Sequence, residues 1–151
     1  MEKKIVCQNR KARHDYFIDE IYEAGIVLFG PEVKSLREGR GSLKDSYARV
    51  KNGELFLYNM HITAYPFAHH LDIDPARTRK LLMQKREIKR LIGKTEEKGY
   101  SLIPISTYLL RGIIKVELGL AKGKKKYDKR YVLKEREMKR ELNQLKKKNY
   151  Y

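Results

Sequence analysis

Cysteine is nearly absent from this chain: Cys7 is the single one among 151 residues. One cysteine excludes an intrachain disulfide framework and a cysteine metal cluster, and it fits a reducing compartment. Long apolar runs are missing too. No window approaches the roughly 18 consecutive apolar residues of a membrane helix. The opening Met1-Glu2-Lys3-Lys4 has no apolar stretch of signal-peptide length. The expected location is the cytoplasm, with no membrane partner. The usual signs of catalysis are also scarce. The histidines are His14, His61, His69 and His70, and none has a metal-ligand spacing with a partner acid. Gly39-Arg40-Gly41 lacks the later glycine and the Lys-Ser/Thr of a phosphate-cradling loop. The serines lack the setting of a nucleophile elbow. A non-enzymatic protein with no metal and no cofactor is therefore expected.

Negative charge is the other shortage. There are 19 Asp and Glu against 35 Lys and Arg, a net of +16, and charged residues make up 36% of the chain, above the roughly 25% of an ordinary soluble domain. Such a balance says nothing about fold but favours polyanionic partners. The excess is uneven. Residues 122–151 hold 13 of the Lys and Arg and only 4 of the Asp and Glu. One fifth of the chain thus carries more than half of the net charge. Residues 1–121 are expected to fold as one barrel domain, and 122–151 to form a basic tail, disordered when free.

Local patterns fill in the first part. Tyr16–Ile18 and Ile26–Phe29 are β-branched and aromatic runs, and Ala24-Gly25 between them suggests a hairpin. Gly30-Pro31 breaks the strand, and residues 32–38 form a short helix stopped by Gly39. Ser46–Val50 alternates, Asn52-Gly53 is a two-residue hairpin signal, and Leu55–Tyr58 is the partner strand, continuing toward Ile62. Residues 64–79 are a long exposed loop. A helix spans about 80–98, with Leu81, Ile88, Leu91 and Ile92 on one face. Residues 100–110 and 112–120 are two more strands. About six strands joined mainly by hairpins imply a largely antiparallel sheet, and a small closed barrel leaves no exposed edge. The expected fold class is mostly β, with two or three flanking helices.

Basic clusters point to RNA. Asn9, Arg10, Lys11, Arg13 and His14 form one cluster. Lys34 and Arg37 lie a turn apart on the short helix. Arg77, Arg79 and Lys80 form a third. Gly123-Lys124-Lys125-Lys126-Tyr127-Asp128-Lys129-Arg130 sets lysines for phosphates beside an arginine fork and a ring able to stack on a base. Asp128 is odd in that company. Further on, Met138, Leu142 and Leu145 fall at helical spacing beside basic residues such as Lys139. A free helix of that kind is marginal in water but can form on a polyanionic surface.

Four segments, Asn9–Tyr16, Gly30–Arg37, Asp74–Leu82 and Gly123–Arg130, resemble the hallmark segments of the SsrA-binding protein family, also called small protein B, in order and spacing. The resemblance runs from about residue 5 into the tail. It implies an OB-fold barrel that binds the tRNA-like domain of transfer-messenger RNA and enters stalled ribosomes in trans-translation, without a catalytic role. It puts the family's RNA contacts on Asn9, Glu23 and Leu82. Its decoding-site segment falls on Gly123, Lys124, Lys125, Asp128, Lys129 and Arg130, against ribosomal RNA of the small subunit. A helix over 131–148 would lie in the message channel. A monomer is the default. The competing readings are a generic structured-RNA-binding or ribosome-associated barrel protein, and an RNA-processing enzyme built on His14 or His69-His70.

Overall fold

The computed structural model describes residues 3–67 and 72–124. Within them the elements run β1 (Lys4–Gln8), α1 (Ala12–Asp15), β2 (Tyr16–Ile26), α2 (Gly30–Arg37), β3 (Gly41–Ser42), β4 (Tyr47–Lys51), β5 (Glu54–Tyr58), β6 (His61–Ile62), β7 (Arg79–Leu82), α3 (Lys85–Glu97), β8 (Ser101–Leu110) and β9 (Ile113–Gly123). Seven strands share one sheet in the order β1-β8-β4-β5-β7-β2-β9, and β9 pairs back onto β8. That return closes six strands into an antiparallel ring, with β1 laid along β8 on the edge that β4 meets at Leu102. The chain therefore forms the small antiparallel OB-fold barrel, and closure leaves the ring without an open edge.

Alternation builds the core. Leu55, Leu57, Leu81, Val116, Leu118 and Leu120 point inward and are buried, while their strand neighbours face out. Ile88 and Leu91 of α3 pack into the same cluster. A smaller cluster of Ala12, Ile103 and Ala121, flanked by Tyr16 and Ile18, pins α1 to the barrel. Two tight turns set the register. Asn52 and Gly53 have φ of 54° and 75°, and Arg111 and Gly112 have 52° and 80°. Two successive positive φ values match the twist of a two-residue hairpin.

Several expectations need correction. Residues 16–29 are not a hairpin: β2 runs unbroken through Ala24 and Gly25, which pair with Val116 and Lys115 of β9. The glycine there makes room for Leu82, whose Cβ would lie 3.3 Å from an added Cβ. The helix expected from residue 80 begins at Lys85, because 79–82 form β7 between β5 and β2. β1 was not foreseen. The barrel also runs two residues past 121, since Lys122 and Gly123 pair with Phe17 and Tyr16. His69, His70 and the tail from Lys125 lie outside the described residues.

Arg79 requires the largest correction. Expected on an RNA face, its side chain is 0% exposed. Glu32, also buried, takes both Arg79 (Nη2–Oε2 2.7 Å) and Arg77 (Nη2–Oε1 2.6 Å). The remaining Arg79 donors reach the carbonyls of Met60, Arg77 and Pro75, at 2.5, 3.1 and 2.9 Å, and Nε reaches Glu32 at 2.8 Å. All five donors of the guanidinium are thus used inside the protein. Glu32 also accepts from the Phe29 backbone N–H at 2.9 Å, which starts α2. One carboxylate joins α2, the loop before β7, and β7 itself.

Burial works against the Glu32 carboxylate, but Arg77, the Phe29 N–H and Arg79 outweigh it and hold its pKa below the ordinary value. A depressed folded pKa gives stability that is complete above the unfolded value, about 4.3, and is lost as pH falls through the folded value. Stability followed by urea unfolding from pH 7 to pH 3 should fall in the wild type and fall less in Glu32→Gln. At neutral pH, Glu32→Ala should cost about 3–5 kcal/mol, because Arg79 stays buried without its carboxylate; a loss below about 1 kcal/mol contradicts this role.

Candidate nucleic-acid interface

Directly paired residues on neighbouring strands share a face, so register assembles the site. Ile5 pairs with Tyr108, Tyr108 with Lys115, Lys115 with Gly25, and Gly25 with Leu82. This row crosses the outer surface of β1, β8, β9, β2 and β7. The adjacent row is Gln8, Ser106, Glu117 and Glu23. Leu82, which its apolar side chain alone would assign to the core, is 52% exposed. Asn9 follows β1. Its backbone N–H donates to the Ile105 carbonyl at 2.8 Å and its Nδ2 to the Pro104 carbonyl at 2.9 Å. Glu23 and Leu82, far apart in the chain, thus share one outer face of the barrel, and Asn9 is held at the end of β1, next to the row that contains Glu23.

Glu23 and Glu117 stand directly opposite each other, an arrangement that repels unless compensated. Lys3 donates to Glu117 at 3.0 Å, and Lys115 stands 3.5 Å from Glu23. Tyr108 lowers the Glu23 pKa most, and with Lys115 and Lys3 it holds that carboxyl below its usual range. Burial, then Glu23, pushes the Tyr108 phenol far above its ordinary pKa, and Lys3 lies 4.0 Å over the Tyr108 ring. Glu23 is therefore a fixed anionic acceptor at neutral pH on a cationic protein. Sequence reading missed Tyr108 and Lys115, which hide as ordinary members of alternating strands.

Cations flank this face. Arg10, Lys11, Arg13 and His14 are exposed in and before α1, and His14 Nδ1 lies 2.9 Å from Asp15. Lys124 donates to the Arg13 carbonyl at 3.1 Å and lies 5.1 Å from the Phe17 ring. That joins the end of β9, with Gly123, to the first basic cluster. Lys80 is exposed on β7, 3.4 Å from Glu54. Lys34 and Arg37 are exposed on α2 instead, where Lys34 faces the Tyr65 ring at 5.5 Å. Lys125, Asp128, Lys129, Arg130, Met138, Lys139, Leu142 and Leu145 lie outside the described residues. Among the described residues no group of His, Cys, Asp and Glu is arranged to hold a metal, and no helix is long and apolar enough to cross a membrane.

This arrangement has counterparts. The family described as "SmpB protein" matches residues 6–148. An SsrA-binding protein of Geobacillus thermodenitrificans is 58% identical over 141 residues, covering 93% of this chain and 91% of that protein. The SsrA-binding protein of Halothermothrix orenii is 57% identical over 139 residues, 92% of this chain and 90% of its own. A solved chain, 52% identical, superposes with a TM-score of 0.66 over 78% of this chain and 82% of its own. It comes from "tmRNA-SmpB: a journey to the center of the bacterial ribosome".

Since Tyr108 is the leading cause of the low Glu23 pKa, Tyr108→Phe should move that pKa up toward its ordinary value. Carboxyl-detected NMR titration of the two proteins checks this, and an unmoved Glu23 would show that the phenol does not hold it.

Proposed function

The chain belongs to the SmpB protein family, and on that footing we propose that it binds the tRNA-like domain of transfer-messenger RNA and delivers it to stalled ribosomes for trans-translation, in which incomplete polypeptides are tagged. The SsrA-binding relatives and the similar tmRNA-SmpB chain support this reading. The protein acts by binding, without catalysis, as a monomer in the cytoplasm.

The observation that carries the reading is the convergence of Glu23 and Leu82 on one outer face, with Asn9 held beside it at the end of β1. Asn9, its Nδ2 tied to the Pro104 carbonyl, turns its amide oxygen to a ribose hydroxyl or base amino group. Glu23 accepts from base amino groups, a role that suits an anion anchored by Tyr108 and Lys115. Leu82 packs beneath an unstacked base, as RNA modules do with exposed apolar and aromatic residues. Arg10, Lys11, Arg13, His14, Lys80 and Lys124 serve flanking phosphates, with Lys34 and Arg37 of α2 as outlying contacts. Arg79 acts through β7 and does not touch RNA. The tail takes the second task. Gly123 to Arg130, including Lys125, Asp128 and Lys129, sits at the decoding site, and the Met138, Lys139, Leu142 and Leu145 stretch follows the message path.

Competition binding separates this from a generic structured-RNA protein: the tRNA-like domain should displace unrelated hairpins, and equal affinity at moderate salt would refute the assignment. Affinity should fall with log salt with a slope of about −0.7 to −0.9 per phosphate contact. Removing residues 131–151 should leave free-RNA binding nearly intact and abolish tagging on ribosomes. Loss of binding to the isolated RNA on truncation would overturn the division of labour.

A further inference from the structure

The outer surface of β4 and β5, next to Lys80 of β7, carries side chains that the reading above does not use. β4 and β5 alternate strictly, leaving Tyr47, Arg49 and Lys51 outward on one strand and Glu54, Phe56 and Tyr58 outward on the other. Tyr47 and Tyr58 are direct cross-strand partners, and their rings stack 5.2 Å apart at 15°. The Arg49 guanidinium lies 5.9 Å from the Tyr47 ring. Arg49 pairs with Phe56, and Phe56 with Lys80 of β7, so ring and cation alternate across three strands. Three cations, Arg49, Lys51 and Lys80, stand on this surface against one acid, Glu54. Beside Tyr47 a groove of about 550 Å³ opens between β4, β8 and α3, lined by Tyr16, Arg49, Glu96, Tyr100 and Ser101 among others. It falls within the size of small-ligand clefts, roughly 300–1,000 Å³.

We infer that this surface is a further RNA contact, in which Tyr47, backed by Tyr58, stacks on an unpaired base while Arg49 and Lys51 hold the flanking phosphates. The inference rests on the RNA-binding reading above and extends its footprint. Stacked rings beside planar and point cations are what sequence-tolerant single-strand binding needs: a π-face for the base and charge for the backbone. The excess of positive charge selects a polyanion over an acidic-poor protein surface. Continuity supports it as well. Lys80 and Leu82 lie on the same outward face of β7, so an RNA strand crossing Leu82 reaches Lys80, Phe56 and Arg49 without leaving the barrel.

The test uses the full chain and the tRNA-like domain of transfer-messenger RNA. Tyr47→Leu should weaken binding about tenfold with an unchanged salt slope, because stacking releases no counterions. The double variant Arg49→Gln, Lys51→Gln should weaken binding and reduce the magnitude of the slope by roughly 1.4–1.8, two phosphate contacts at about 0.7–0.9 each. If Tyr47→Leu lowers the melting temperature, the double variant decides alone, because both of its side chains are exposed. Glu23→Ala serves as the reference. Wild-type affinity and slope in the double variant, with binding lost in Glu23→Ala, overturn this inference and leave the proposed function standing. A wild-type protein that fails to prefer the tRNA-like domain overturns the function instead.

Discussion

A single buried carboxylate organises the part of this barrel that carries β7. Glu32 starts α2 through the Phe29 N–H and takes both Arg77 and Arg79 from the segment that leads into β7. β7 is only four residues long and sits between β5 and β2, so the ring closes through it. With Arg79 and Leu81 drawn inward, the two-residue period turns Lys80 and Leu82 outward. The same ion cluster that stabilises the fold therefore decides which β7 side chains reach the outer surface. Arg77, a member of the cluster, also covers the Phe29 ring at 4.4 Å.

The charge of the protein divides into two uses. Part of it is internal: Arg77 and Arg79 neutralise Glu32. At the surface Arg90 pairs with Glu20 at 2.8 Å, and Tyr22, then Arg90, holds Glu20 below its usual range. Other exposed cations stand around α1, on β7 and near the end of β9. Among the cations sits an anchored carboxylate, Glu23. A uniformly basic face attracts any phosphate backbone equally. In the function proposed above Glu23 supplies discrimination, because a carboxylate requires donors such as base amino groups and repels misplaced phosphates, and the flanking cations supply affinity.

The sequence was most legible where local chemistry is decisive. Asn52-Gly53 announced its hairpin because both residues tolerate positive φ, and the alternation over Ser46–Val50 announced β4. It was least legible where tertiary partners override local signals. Ala24-Gly25 resembles a turn, yet pairing with β9 on one edge and the Leu82 side chain over Gly25 keep β2 extended. Leu81, Ile88 and Leu91 share helical spacing, but Leu81 belongs to a strand whose partners lie far off in the chain. Arg79 read as surface because nothing local reveals a carboxylate 47 positions away. Of the candidate site, Asn9, Glu23 and Leu82 came from family resemblance. Their convergence depends on register across five strands, which no short window encodes.

Amide hydrogen exchange of the full chain, with and without the tRNA-like domain of transfer-messenger RNA, tests the account most directly. Added RNA should slow exchange in residues 9–25 and 79–82 and leave the helix at 85–97 nearly unchanged. Protection confined to other parts of the barrel, with 9–25 and 79–82 unaffected, would contradict an RNA face built on Asn9, Glu23 and Leu82.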